Sequence, residues 1–181
     1  MHMPMGLALN AAYLHIIVNH IPIILSGVGT AAALLAVVVQ RRAVWLYALA
    51  SLTIAGASAY PVMLTGHAAE HVMKKVWYID KDAVNEHEDA ADLAMWTLIA
   101  AGVVSAIVWW RLARSRDVFG NGIPPKWAQG LVLLTALAGT GTVAYAAYEG
   151  GLIVHGAARL QTPPPGVTAP SAEPDSEHDS H

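Results

Sequence analysis

The chain has 181 residues, 55% of them apolar and only 13% charged, with a formal net charge of −3. A soluble domain carries about a quarter charged residues, so much of this surface faces something other than water, and without a basic stripe the charge excludes a nucleic-acid partner. Cysteine is absent and histidine occurs nine times, which excludes disulfides, thiolate metal sites, iron–sulfur ligation and covalently attached haem, and leaves imidazole as the abundant soft ligand.

Met1 to Asn10 contain no Lys or Arg, and the apolar stretch that follows is too long for a secretory signal, so it reads as a retained segment. The first predicted span covers about 10–40 and stops at Arg41-Arg42; the second covers 43–66 and stops at His67. A longer connection of mixed charge follows, with a short outer helix expected across 68–85. The third span covers 88–112 and the fourth 126–150, joined through Arg111, Arg114, Arg116 and Lys126, with Gly120-Asn121-Gly122 and Pro124-Pro125 making the turn. Each span meets the requirement of roughly 20 apolar residues, and none carries the polar stripe of a soluble bundle helix. The expected fold is an all-α, integral membrane four-helix bundle over 1–160. The tail 161–181 is rich in Pro, Ser and acidic residues and is expected to be disordered. Lys and Arg concentrate on the two short loops, which places those loops in the cytoplasm and both termini outside. Trp45, Trp109, Trp110 and Trp127 fall at the basic edge and Tyr13, Trp77, Tyr78, Tyr145 and Tyr148 near the other, as aromatic belts do.

Counting outward from the basic edge converts sequence spacing into depth. His15 lies 26 residues before Arg41, His67 lies 25 after Arg42 and His87 lies 24 before Arg111; in continuous helices this puts them roughly 36–39 Å from that edge. His20 falls at roughly 31 Å and Glu149 at roughly 35 Å, with His71 and His155 farther out. The hydrocarbon core is about 30 Å thick, so the layer lies at the outer interface. Ionisable groups delivered to one depth by several helices mark a functional site, and imidazole ligates zinc, copper and haem iron. The plainer alternative is that these rings hydrogen-bond head groups or neighbouring helices. His15 and His20 point about 140° apart on a straight helix, and Pro22 removes a backbone bond to Val18. Glu149, next to Gly150-Gly151, is placed to orient an imidazole or to ligate directly. His67 and His71 share a helix face at a spacing that suits a metal and also arises by chance. The acids of Asn85-Glu86-His87-Glu88-Asp89 suit the start of a helix without catalysis. Small residues such as Ala55-Gly56-Ala57-Ser58-Ala59 allow close helix packing, or a slot for a flat macrocycle. No nucleotide-binding, zinc-protease or nucleophile-elbow motif is present, and no catalytic residue is assigned.

Taken together, H-I-I-V-N-H-I-P at 15–22, Thr65-Gly66, His87 opening the third span and G-G-L-I-V-H-G at 150–156 resemble a family of small bacterial membrane proteins grouped as a domain of unknown function. That family's signature is close to H-P-x-x-V-H-F-P, then T-G, a His- and Ala-rich helix, and G-G-x-x-V-x-x-H-G. The match falls on His15, His20, Thr65, Gly66, His87, Gly150, Gly151, His155 and Gly156. This chain has Ile where the family has Pro after the first His, differs on both sides of His20, and is one residue shorter in the last motif. The resemblance implies an electron-transfer component, because relatives occur beside or fused to Rieske or cytochrome c modules, and it implies the bacterial inner membrane. The expected function is therefore a redox-associated membrane subunit holding b-type haem through His15, His20, His87 and His155 and exchanging electrons with periplasmic partners. A copper or zinc site drawn from His15, His20, His67, His87, His155 and Glu149 is the second expectation, and an anchor whose histidines only pack is the third.

Overall fold

The computed structural model describes residues 13–74, 80–114 and 122–155. Met1–Asn10, the tail 161–181, Arg116, Arg159, Trp77 and Tyr78 lie outside the described residues, as do the side chains of Val72, Val154 and His155. Every regular element among the described residues is a helix: α1 (Tyr13–Val39), α2 (Arg42–Met73), α3 (Lys81–Arg114) and α4 (Lys126–His155). All four are long and apolar enough to cross a membrane.

Local chemistry sets the boundaries. The helical pattern of α1 is interrupted at Asn19, three residues before Pro22, whose ring nitrogen has no proton for the Val18 carbonyl; the chain stays in the right-handed helical region there. Gln40 ends α1 in a left-handed conformation with its N–H on the Ala36 carbonyl. Helix α2 does not stop at Gly66. It continues through the helix-forming run His67-Ala68-Ala69-Glu70-His71 to Met73. Asp80 accepts the backbone N–H of Asp82 at 2.9 Å, a side-chain cap that starts α3 at Lys81, seven residues before the expected edge. The outer helix expected across 68–85 is thus not a separate element: 68–73 finish α2 and 81–85 begin α3.

The helices form an up-and-down ring in which α1 packs on α2, α2 on α3 and α3 on α4, and α4 closes less extensively on α1. Small residues bring them together. A Cβ on Gly56 would lie 2.7 Å from the Gly102 Cα, and one on Gly29 would lie 2.9 Å from the Leu52 side chain. Only glycine allows α2 and α3 to cross so closely. At the basic end the core is bulky, built from Trp45, Leu49, Leu52, Leu112 and Val132. Trp45 is fully buried there rather than lying in an interfacial belt. Toward the other end the buried residues shrink to Ala90, Ala94 and Ala146. The outside of the bundle is apolar, with Val38 80% and Leu134 68% exposed, a distribution that water does not tolerate over so large an area.

Polar bonds tie each seam. Thr30 and Thr140 share a hydrogen bond of 2.8 Å between α1 and α4, and Thr97 and Thr142 one of 2.6 Å between α3 and α4. At the basic end Gln40 and Gln129 exchange amide bonds, and Arg42 donates to the Leu112 carbonyl at 2.6 Å.

Candidate functional site

The sequence-predicted residues separate into an inward pair and an outward group. His15 on α1 and His87 on α3 turn into the bundle. The His15 Nδ1 lies 3.2 Å from the Val62 carbonyl and 3.1 Å from the Thr65 hydroxyl, both on α2. Its ring rests on Gly66, where a Cβ would come within 3.1 Å of Cε1. On the other hairpin the His87 Nδ1 lies 2.9 Å from the Ala146 carbonyl of α4. Its ring rests on Gly150, where a Cβ would come within 3.0 Å of Cε1.

The two arrangements are one device used twice. In each, an imidazole near the start of an odd helix bonds a backbone carbonyl on the next helix, and a glycine four residues beyond that carbonyl makes room for the ring. Gly66 and Gly150 each stand 24 residues beyond the start of their helix, Arg42 and Lys126. Each is followed by a histidine five residues on, His71 and His155. The chemical result is a fixed tautomer. A carbonyl oxygen only accepts, so Nδ1 carries the proton and Nε2 keeps its lone pair. No hydrogen bond among the described residues uses Nε2 of either ring. This is the preparation a metal-ligating histidine receives from its outer partner.

Glu149 is buried on α4, immediately before Gly150 and one turn after Tyr145. It occupies the register that Thr65 holds beside Gly66, so the two hairpins differ here by one carboxylate. His20 is exposed and bonds the Ile16 carbonyl of its own helix at 2.6 Å, on the side of α1 away from His15. His67 and His71 are exposed on α2. His155 is the last residue of α4 and its side chain is outside the described set. Among the described residues no three His, Asp or Glu side chains converge as a metal site.

Sequence reasoning missed Val62 and Ala146, whose contribution is a main-chain oxygen and leaves no trace in residue type. It also missed that Gly66 and Gly150 are seats for the imidazoles. Their equal distance from the basic edge was the available signal. Comparison of the chain with protein families, with curated proteins and with solved structures gives no match.

Proposed function

We propose that the protein is a multi-pass subunit of the bacterial inner membrane, with both termini periplasmic, in which His15 and His87 hold b-type haem through Nε2 near the outer face. The observation that carries this reading is the pair of inward imidazoles, from two different helices, each with Nδ1 tied to a carbonyl and Nε2 unbonded among the described residues. Imidazole nitrogens of His15 and His87 are donors that a haem iron would take, and two of them fall short of a closed zinc site, which takes four ligands. The haem would supply one-electron chemistry. The chain's own part is to fix both tautomers, hold the rings on Gly66 and Gly150, and surround them with apolar helix. Glu149 stands beside the Gly150 seat as an acidic neighbour, and His155 remains a candidate ligand. His20 and His67, exposed on the outside, are given no coordinating role. The suspected kinship with the bacterial membrane family supports the same direction: cytochrome c or Rieske-type proteins are the partners we propose. Copper or zinc bound by the same imidazoles is the second reading, favoured by the metal-ready tautomers alone.

The test is a dithionite-reduced absorption spectrum of detergent-purified protein, as isolated and after addition of hemin. A reducible Soret band should be present in wild type, lost in H15A and in H87A, and kept in H20A and H67A. A colourless, folded wild type that takes up no hemin rejects the haem, and stoichiometric copper or zinc by elemental analysis of that sample selects the second reading.

A further inference from the structure

The basic end of the bundle carries a feature that the imidazoles leave unused. An apolar groove of about 170 Å³ opens between α3 and α4, walled by Val104, Ile107, Ala128 and Leu131. Arg111 and Trp127 also line it, at the end where α3 gives way to α4. Trp127 is 68% exposed, so its indole stands as an outer wall and does not fill the core. Arg111 is exposed in the last turn of α3 and forms no ion pair among the described residues. Arg114, one turn on, lies over the Trp110 ring at 4.7 Å, and Lys126 opens α4 beside Trp127. Every acidic residue among the described residues stands in the other half of the bundle, from Glu70 through the start of α3 to Glu149. A slot of hydrocarbon character therefore ends at a cationic group that meets no acid among the described residues.

The geometry points to a binding site for one anionic phospholipid, with an acyl chain along the groove and its phosphate on the Arg111 guanidinium. A guanidinium matches phosphate with two parallel hydrogen bonds. Basic positions between spans on the cytoplasmic side suit anionic head groups, and the N-terminus of α4 adds the positive end of a helix dipole. A zwitterionic head group would bring its own cation against Arg114 and Lys126, so the net negative lipid is preferred. The inference rests on the membrane placement proposed above and is independent of any haem.

Native mass spectrometry of the full chain, extracted from membranes in mild detergent and offered equal amounts of phosphatidylglycerol and phosphatidylcholine, tests it. Wild type should retain one phosphatidylglycerol preferentially. R111Q should lower that preference about fivefold, R111K, which keeps the charge and loses the paired bonds, should lower it by less, and L131W, which fills the groove while leaving the charge, should lower retention of phosphatidylglycerol. Equal retention of the two lipids by wild type, or retention unmoved by both R111Q and L131W, overturns the site. A protein dimer that L131W dissociates also overturns it, because a second chain then occupies the groove. A chain released into the aqueous phase by alkaline carbonate overturns the membrane placement as well, which separates that failure from loss of lipid preference alone.

Discussion

His15 and His87 each trade a water-facing proton for a bond to a main-chain carbonyl, and a missing side chain on the neighbouring helix makes the exchange possible. Replacing either glycine by valine should therefore displace the ring. G66V or G150V is expected to destabilise by about 1–3 kcal/mol through overpacking and to release the Nδ1 bond. Equilibrium unfolding in detergent reads the first effect; the ring-proton NMR resonance of the affected histidine reads the second. Ring resonances unchanged in both variants would mean that the glycines do not seat the imidazoles. At this scale the spacing of the histidines along their helices was legible in the sequence, and their facing was not. His67 and His87 come out at nearly the same depth by counting, yet one is exposed and the other is turned inward. A span that is apolar all round has no polar side to mark its outer face. Where angle alone was informative, as with His15 and His20, the expected divergence is found.

Among the elements, the contact of α2 with α3 is the least forgiving. A methyl on Gly56 meets backbone on the other helix, the Gly102 Cα at 2.7 Å and the Leu98 carbonyl at 2.8 Å, so no rotamer change relieves it. G56A should destabilise by about 1–3 kcal/mol. Gly27, with open space where a Cβ would stand, is the control: G27A should be neutral or stabilising by up to about 1 kcal/mol. Equal losses from the two changes, measured by denaturant titration in one detergent, would show that the close crossing is not what holds this seam. The existence and number of the helices were legible because four apolar runs are separated by clustered charge. Their outer ends were not, because hydropathy reports where lipid stops and not where a helix stops. His67 to Met73 are polar enough to leave the membrane and still good enough helix formers to continue α2, and Pro61 within α2 does not end it.

For the molecule as a whole, the outer end is clasped by charge and the basic end by core. Lys74 at the close of α2 pairs with Glu70 on its own helix and with Glu88 of α3 at 3.3 Å. The Glu70 carboxylate, and after it Glu88, holds the Lys74 ammonium above its ordinary pKa. A raised lysine stabilises the fold fully below its unfolded pKa, and that contribution is lost as pH climbs through the higher folded value. Wild type should thus melt at a slightly higher temperature than K74Q near neutral pH, and the gap should close as pH rises beyond the ordinary range of a lysine. A gap that persists in strong alkali would assign the effect to packing of the lysine stem.

Trp45 and the leucines around it have a consequence for traffic. They fill the basic end with large side chains, whereas the buried cluster Ala90, Ala94 and Ala146 toward the opposite end is built from small ones. A haem held by His15 and His87, as proposed, would therefore lie at the end away from this bulky core. On the haem reading proposed above, such a bundle would act as a terminal at one of its ends, and not as a wire running from end to end.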